Sequence, residues 1–462
     1  MTTRRQRSTG VPLATVAVLI GLAGAGCGRS GSAASPNPSA SGSAKASATS
    51  SVAAAGSFGS ASKVCAPGPA TGGGGRGING KTIRIGVMGD PGNTFDPGLG
   101  QEFFDVADAF AKWCNAAGGI NGRTVVIDKL DAKLFNVAAK VIDACQSDFM
   151  LVGGGNGADL AGVKPRLACK LGQIPAYTVS PQATAAGLQV TPVALTPQKY
   201  PIGAFRLLAN AYPASKAGLG IAGSNLASLA PAGLQAKQAW ENLGYKVSAE
   251  QPRPALVANF RPWIEQFKTS GTKADYEGTA TSIVPIFTAM NDVSFKPEFV
   301  VFGQPIYSAD TVKAAASVGT FPPSYVYLSN LPWELSDQYP VLAQAKSIMT
   351  ASSRNAKYDS FTALGFNAWV LWAQSATACG NNLTQACVLQ KAGSYPAYDA
   401  GGLFAPVNTN PAAHDVSDCT LLLRLTSTGW VYDKAVTEPN HGAYNCDPRN
   451  LTAVKSFETA GG

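Results

Sequence analysis

Residues 83–90 read Ile-Arg-Ile-Gly-Val-Met-Gly-Asp, and this stretch decides how the rest of the chain is interpreted. Its apolar residues suit a strand that is buried in a mostly parallel sheet. Pro91-Gly92 ends the strand, and apolar residues at three- and four-residue spacings then predict a helix over 101–117. Gly118-Gly119 ends that helix. A second strand over 125–130 completes a strand–helix–strand unit.

The same alternation continues along the chain, with short connections. The expected elements are, in order, helix 136–147, strand 149–153, helix 159–171, strand 174–179, helix 198–211, strand 217–223, helix 231–243, strand 246–249, helix 261–269, strand 275–280, helix 284–292, strand 298–303, helix 309–317, strand 325–328, helices 337–349 and 359–379, and a strand pair at 421–425 and 430–432. This order predicts an α/β protein with doubly wound sheets. The chain builds one sheet, crosses over to build another, and returns.

The first 26 residues have the features of an export signal. Three arginines precede an apolar stretch, 11–25, which is too short and too rich in glycine to span a membrane comfortably. The small residues before Cys27 resemble a lipoprotein signal-peptide site, so we expect residues 1–26 to be removed and Cys27 to be lipidated. Ordinary secretory cleavage is the alternative, since Gly24 stands where such sites usually have leucine. Either the general secretory route or the twin-arginine route could export the chain.

Residues 27–77 consist largely of serine, alanine, glycine and proline. Such a segment buries too little apolar surface to offset its ordering entropy, so we expect a disordered tether. The 385 residues from Ile78 onward are too many for one core and suit two lobes. The net charge of +8 comes without a basic run, so we expect no nucleic-acid partner.

Nine cysteines suit an oxidising compartment. If Cys27 is lipidated, eight remain to pair. Three disulfides are predicted from position: Cys379–Cys387 flanks a short turn, Cys419–Cys446 brackets the last strand pair, and Cys114–Cys145 joins the ends of two helices expected side by side. Elimination leaves Cys65–Cys169 as the fourth. A metal site is not expected, because there is no Cys-x-x-Cys and the chain has only two histidines.

Candidate ligand contacts follow from topology. In open α/β sheets a ligand binds beyond the carboxyl ends of the strands, close to helix N-termini. The glycine-rich loop after strand 149–153 would let backbone N–H groups approach a carboxylate. The rule selects Asp90, Gly155, Asn156, Gly157, Val179, Ser180, Ser224, Asn225, Gln304 and Tyr307. Trp333 is a further candidate for lining the cleft between the two lobes. Alternatively, it lies exposed in the hinge that joins them.

Several segments also resemble one family. Gly-Lys-Thr-Ile-Arg-Ile-Gly-Val-Met-Gly-Asp at 80–90, Gly-Gly-Ile-Asn-Gly-Arg at 118–123 and the long helix with Gly-Phe-Asn-Ala at 365–368 are similar to the type I periplasmic-binding-protein fold. They most resemble the branched-chain amino-acid (leucine/isoleucine/valine-binding) receptors, the substrate-binding lipoproteins of ABC transporters. The resemblance implies two αβα lobes, 78–196 plus 329–394 and 197–328 plus 395–462, joined by a hinge of several crossings. It also implies that the loops at Gly155–Gly157 and Val179–Ser180 hold an amino acid, and that Tyr307 supplies an aromatic ring.

Other chemistry finds little support in the sequence. Residues 75–82 match the phosphate-loop pattern, but that loop must follow a strand and open a helix, whereas here a strand comes after it. No nucleophile motif occurs, and His414 and His441 are far in sequence from the cleft loops. We therefore expect no enzyme activity and no cofactor.

The sequence as a whole predicts a monomeric, lipid-anchored solute-binding protein outside the cell membrane. It would close its lobes on a small polar solute, an amino acid or a related amide or carboxylate, and present that solute to a membrane permease. A receptor module that senses the ligand and signals to a partner without transport remains the alternative.

Overall fold

The computed structural model describes residues 56–193, 198–254, 256–413 and 415–455. The predicted signal peptide, Cys27 and the first part of the predicted tether lie outside the described residues. The first elements build one sheet and its helices: β1 (Ile78–Asn79), β2 (Thr82–Gly89), α1 (Gln101–Ala116), β3 (Thr124–Asp131), α2 (Val137–Ser147), β4 (Met150–Val152), α3 (Leu160–Ala168), β5 (Gln173–Ile174) and α4 (Pro181–Thr184).

A second series follows in the chain. It comprises β6 (Lys199–Pro201), α5 (Gly203–Ala211), β7 (Leu219–Ser224), α6 (Ala230–Asn242), β8 (Val247–Arg253), α7 (Arg261–Thr269), β9 (Ala274–Glu277), α8 (Val284–Asp292), β10 (Phe299–Phe302), α9 (Ala309–Val318) and β11 (Ser324–Leu328). Three helices then return to the first sheet: α10 (Pro340–Ser352), α11 (Ser360–Ala378) and α12 (Gln385–Ala392). The last elements are β12 (Cys419–Leu425), β13 (Trp430–Tyr432), α13 (Lys434–Thr437), β14 (Asn445–Cys446) and β15 (Leu451–Ala453).

Both sheets reverse their strand order at one point. The first sheet runs β3-β2-β4-β5 with parallel pairs, and β1 pairs antiparallel with the start of β2. The second runs β8-β7-β9-β10-β11-β12-β13, parallel as far as β11. The reversals are β3-β2-β4 and β8-β7-β9. We call the elements around the first sheet the first lobe and those around the second sheet the second lobe; the chain passes between them three times. This is the predicted doubly wound α/β architecture.

The reversal in the first sheet corrects two predicted disulfides. The structure pairs Cys65 with Cys114 and Cys145 with Cys169, instead of Cys114 with Cys145 and Cys65 with Cys169. Because the crossovers from β2 to β3 and from β3 to β4 run in opposite directions and are both right-handed, α1 and α2 lie on opposite faces of the sheet. Accordingly α1 packs with α10 and α11, whereas α2 packs with α3 in a separate apolar cluster. The two remaining disulfides, Cys379–Cys387 and Cys419–Cys446, are formed.

Residues 56–77 pack against the first lobe, and we call them the strap. Phe58 is fully buried and stacks on Phe366 with 5.4 Å between ring centroids. The amide of Gln344 in α10 is bonded at both ends to the strap, to the carbonyl of Ser57 and the N–H of Gly59, each at 2.8 Å. The prediction of a disordered tether as far as Gly77 is therefore wrong for this part. Buried apolar residues and a disulfide hold this segment in place, although its overall composition is typical of a disordered chain.

Most elements differ from their predicted bounds by a few residues, and three of these differences have a clear physical or structural cause. The strand expected at 174–179 stops at Ile174, since Pro175 has no N–H to donate to a ladder. The helix expected from 198 begins at Gly203, because β6 at its start pairs with β15 at the far end of the chain. Strand β8 continues to Arg253, beyond the predicted end at 249.

Candidate functional site between the two lobes

A cavity of about 420 Å³ lies at the carboxyl ends of the strands of both sheets. The first lobe contributes the loops after β4 and β5, including Gly157 and Tyr177, and the start of α11 at Phe361. The second lobe contributes the end of β7 and the loop that begins at Gly278 after β9. Both contributions include strands at the points where strand order reverses, β4 in the first sheet and β7 and β9 in the second, as expected for ligand sites in doubly wound sheets. The volume suits a small organic molecule.

The wall of this cavity is predominantly apolar and aromatic. It includes Tyr177, Leu229, Phe361, Leu364, Phe404 and Val407. Among the described residues that line it, Lys199 carries the only formal charge, and neither aspartate nor glutamate is present. An ammonium group bound here would therefore meet no carboxylate.

Three of the ten predicted ligand residues line this cavity, namely Gly157, Val179 and Gln304. Gly155 stands one layer behind the wall. A Cβ atom at Gly155 would collide with the ring of Tyr177, so glycine at this position makes room for an aromatic side chain of the wall.

Asp90 and Asn156 are buried and bind each other rather than facing the cavity. The Asp90 carboxylate accepts hydrogen bonds from the side-chain amide of Asn156 and, at 2.7 Å, from the N–H of Leu134. Burial raises the pKa of Asp90 to about 6. The pair joins the loops after β2, β3 and β4, and so positions Gly157 at the cavity wall.

The donors of Val179 and Ser180 are already engaged. Their backbone N–H groups donate to the carboxylate of Asp159 at 2.7 and 3.1 Å, and the Ser180 hydroxyl caps α4 by accepting from Ala183 at 3.1 Å. Burial raises the pKa of Asp159 to about 6. Asp159 thus occupies the position where the sequence predicted the carboxylate of a ligand. Sequence reasoning missed it because it begins a helix some twenty residues earlier.

In the second lobe, two predicted residues, Ser224 and Tyr307, have local roles, and a third, Asn225, faces solvent. The Ser224 hydroxyl accepts from the N–H of Leu226 at 3.2 Å, and Asn225 is exposed. The hydroxyl of Tyr307 donates to Glu334 at 2.6 Å and accepts from the N–H of Trp333 at 2.8 Å. Burial raises the pKa of Tyr307. These bonds hold the chain segment that crosses from β11 to α10.

Trp333 lies inside this crossing segment. It is 3% exposed, and its indole N–H donates to the carbonyl of Asp359 at 2.9 Å. The expectation of an exposed hinge tryptophan is therefore wrong, and Trp333 is not part of the cavity wall.

Three tyrosines that the sequence did not single out line the cavity from the second lobe. They are Tyr200 in β6, Tyr276 in β9 and Tyr327 in β11. The hydroxyls of Tyr200 and Tyr276 are 3.4 Å apart. Burial, and then the neighbouring phenol of Tyr327, raise the pKa of Tyr200. Tyr327 lies near the carboxyl end of its predicted strand, 325–328, and could have been selected. Tyr276 could not, because the strand predicted over 275–280 places it near the start, whereas β9 ends at Glu277. Tyr200 could not, because the pairing of β6 with β15 places it.

A buried ionic cluster lies on the other face of the same sheet. Arg253 donates to both oxygens of Glu277, at 2.7 and 3.0 Å. Burial, and then the charge of Glu277, raise the pKa of the neighbouring Asp275 well above its ordinary value, which favours its protonated form. Side chains alternate along a strand, which directs Asp275 and Glu277 away from Tyr276. Arg253, Asp275 and Glu277 do not line the cavity.

Two other kinds of site were sought in the part of the chain that the structure describes. No cluster of three or more histidine, cysteine, aspartate or glutamate residues there could hold a metal ion. No helix within the described ranges is both long enough and apolar enough to cross a membrane.

A two-lobed fold with a cavity between the lobes is typical of ligand-binding proteins, and comparisons with known proteins support this class. Residues 82–429 match the model of the periplasmic binding protein family, so the chain belongs to that family. Its fold is that of type I periplasmic binding proteins. No curated protein matches the chain significantly.

Solved structures of solute-binding proteins share this fold. A fatty acid ABC transporter substrate-binding protein from Thermomonospora curvata is 17% identical, with a TM-score of 0.63, over 86% of this chain and 97% of its own. The branched-chain amino acid substrate-binding protein LivJ from Streptococcus pneumoniae, in complex with isoleucine, is 15% identical with a TM-score of 0.60, over 76% and 98%. A solute-binding protein from Rhodopseudomonas palustris, in complex with 3,4-dihydroxybenzoic acid, is 10% identical with a TM-score of 0.59, over 76% and 95%.

Proposed function

We propose that this protein is the extracytoplasmic solute-binding component of an ABC importer and that its solute is a mainly apolar carboxylic acid. The observation that carries the proposal is the composition of the cavity wall. Apolar and aromatic side chains dominate it, and Lys199 is the only charged residue among the described ones that line it. Burial of apolar ligand surface against such a wall supplies the binding free energy.

The absence of an acidic residue from the described wall argues against a free amino acid. The ammonium of such a ligand would be desolvated without a counter-charge. In addition, Asp159 already binds the N–H groups of Val179 and Ser180 that would otherwise receive an α-carboxylate. Lys199 places a positive charge at an exposed part of the wall, close to which an apolar acid would place its carboxylate.

The names of structurally similar proteins support the choice of a carboxylic acid. One is a fatty acid substrate-binding protein, and another was solved with 3,4-dihydroxybenzoic acid. Neither of these named solutes carries an ammonium group. In this chain Gly157, Val179 and Gln304 would contact the ligand together with the apolar wall. The lobes would close on it and present it to a membrane permease, with lipidated Cys27 and the tether as the membrane attachment.

Binding to a homologous series of fatty acids tests the proposal. Each buried methylene contributes about 0.8 kcal/mol, so affinity should rise about fourfold for each added carbon until the cavity is full. Isothermal titration of the purified, ligand-free protein with straight-chain acids of increasing length, and with leucine and isoleucine for comparison, measures this slope. Tight leucine binding together with no response to the acids would overturn the proposed ligand class.

A matched pair of variants on α6 tests the site. Ala232 lines the cavity, whereas Leu234 is exposed on the same helix and does not line it. Ala232→Leu adds bulk inside the cavity, so it should weaken acid binding by about tenfold or more, and Leu234→Ala should leave binding unchanged. Equal effects of the two variants would place the ligand elsewhere.

Transport itself needs a test in cells. Removal of the protein should abolish uptake of a labelled acid that it binds. Uptake that persists without the protein would instead favour a sensing role for the same binding site.

A further inference from the structure

One side of the cavity wall belongs to a segment that crosses between the lobes. This third crossing joins α12 to β12, and its residues Phe404, Ala405 and Val407 line the cavity. All three are buried, with at most 7% of their surface exposed. Their positions set the shape of the wall on this side, so any element that fixes the third crossing also acts on the ligand site.

The third crossing is bonded to the second crossing, residues 329–339, which joins β11 to α10. The N–H of Leu331 donates to the carbonyl of Leu403 at 2.9 Å, and the N–H of Ala405 donates to the carbonyl of Ser329 at 3.0 Å. These two backbone bonds hold the crossings side by side. A displacement of the third crossing would weaken or break them.

The strap contacts the third crossing three residues before Phe404. The N–H of Ser60 donates to the carbonyl of Gly401 at 3.0 Å. A Cβ atom on Gly59 would collide with that carbonyl, and a Cβ atom on Gly401 would collide with the carbonyl of Phe58. Both glycines also have a positive φ, +53° and +70°. The two backbones therefore meet with no side chain between them, an approach that requires glycine on both sides.

The strap is itself held in place where it meets the crossing. Phe58 is fully buried and stacks on Phe366 of α11, and the side-chain amide of Gln344 in α10 bonds Ser57 and Gly59 at 2.8 Å each. Both helices belong to the first lobe. The strap thus fixes Gly401 relative to the first lobe, although no residue of the strap, all of which the structure describes, lines the cavity.

We infer that the strap turn, Phe58–Ala61, is a positioning element of the ligand site. It fixes the third crossing through Gly401 and so places Phe404, Ala405 and Val407 against the ligand. Its effect on ligand affinity rests on the proposed function, whereas its effect on the crossings does not. Because the strap continues the predicted tether, the segment expected to lead to the membrane ends in direct contact with the hinge between the lobes.

A matched pair of glycine substitutions tests the inference. Gly59→Ala places a methyl group against the carbonyl of Gly401, whereas Gly80→Ala adds the same methyl group in open space between β1 and β2. The two φ angles are nearly equal, +53° and +57°, so both variants carry a similar cost of left-handed backbone. Only Gly59→Ala should displace the third crossing.

Ligand affinity gives one readout. Calorimetric titration uses the straight-chain acid that binds the unmodified protein most tightly, at a temperature where circular dichroism shows the variants to be folded. Gly59→Ala should weaken binding by about fivefold or more, and Gly80→Ala should change it by less than about twofold.

A second variant loosens the strap without adding bulk. Gln344→Met keeps a good helix former in α10 and removes both bonds from Gln344 to the strap. It should weaken binding in the same direction as Gly59→Ala, and it tests the inference even if Gly59→Ala does not fold.

Hydrogen exchange of the ligand-free protein gives a readout that needs no ligand. The N–H groups of Leu331 and Ala405 are protected by the bonds between the crossings. Peptides that contain them should exchange faster in Gly59→Ala and Gln344→Met than in Gly80→Ala. A general loss of stability would instead speed exchange equally in the core strands, such as β2.

The outcomes separate the inference from the proposed function. If no acid binds the unmodified protein, the proposed function fails and hydrogen exchange alone decides the inference. If an acid binds and Gly59→Ala keeps both the affinity and the exchange pattern of Gly80→Ala, the inference is overturned while the proposed function stands. Weaker binding without faster exchange in the crossings would also overturn it, as would faster exchange with unchanged binding.

Discussion

At the scale of single residues, the side chains of strand β9 alternate between two different environments. Tyr276 faces the cavity, while Asp275 and Glu277 face a buried layer that contains Arg253. Arg253 also contacts the rings of Phe260 and Phe267, at 5.2 and 5.7 Å from the ring centroids. The carboxylate of Glu277 neutralises this guanidinium. The raised pKa of Asp275 favours its protonated form, because ionisation would place two negative charges side by side without water.

This arrangement predicts unequal effects of two similar substitutions. Glu277→Gln removes the only carboxylate that bonds Arg253 among the described residues, so it should destabilise the fold by about 3–5 kcal/mol. Asp275→Asn replaces a neutral carboxyl by a neutral amide of the same shape, so it should cost less than about 1 kcal/mol. Urea unfolding of both variants at pH 7 measures the difference. Equal losses would show that Asp275 is ionised in the folded protein.

At the scale of elements, the strap makes an N-terminal segment part of the first lobe. Its disulfide joins Cys65 to the end of α1, and Arg76 donates to the carbonyls of Asp148 and Cys145 at 2.9 and 3.0 Å. The N–H of Ser60 donates to Gly401 at 3.0 Å, in the segment that returns to the second lobe. The strap is therefore bonded to both α1 and an interlobe crossing.

Phe58 should be the main apolar anchor of the strap. Because this ring is fully buried between Trp113 and Phe366, Phe58→Ala should cost about 3–5 kcal/mol of folding free energy. Phe95→Ala is the control with the same chemistry. Phe95 is 44% exposed, so its removal should cost less than about 1 kcal/mol. Denaturant unfolding compares the two, and a loss for Phe58→Ala no larger than the control would mean that the strap contributes little to stability.

At the scale of the whole molecule, several carboxyl groups are buried and hold their protons more tightly than in the unfolded chain. Burial raises the pKa of Asp90, Asp148 and Asp159 to about 6 and that of Asp359 to about 7. A raised carboxyl pKa means that the folded state binds more protons than the unfolded state. The stability that these groups contribute is complete below the unfolded pKa of about 4 and is lost as the pH rises through 6 to 7.

We therefore expect the protein to be more stable at pH 5 than at pH 8. The urea midpoint at several pH values measures this profile. Asp359→Asn should flatten it, because asparagine cannot ionise and can still cap α11 by accepting from the N–H of Thr362, as Asp359 does at 2.8 Å. A midpoint that rises from pH 5 to pH 8 in the unmodified protein would contradict the prediction.

Much of the architecture was predictable because its signals are local. Apolar periodicity located most of the strands and helices, and short connections with right-handed crossovers imply doubly wound sheets. Two disulfides were also predictable, since Cys379–Cys387 spans a turn and Cys419–Cys446 brackets neighbouring strands. The rule for ligand sites selected Gly157, Val179 and Gln304 at the cavity wall.

By itself, the sequence determined the α/β class, the two lobes and the family, because periodicity and short motifs depend on neighbouring residues. Only the tertiary structure decided which helices share a face of the first sheet, and therefore how Cys65, Cys114, Cys145 and Cys169 pair. It also decided that Asp159 binds the donors of the loop at Val179, and that the pairing of β6 with β15 brings Tyr200 to Tyr276. These features join positions 20 to 254 residues apart, and the free energy that selects them comes from packing and burial, which no local pattern encodes.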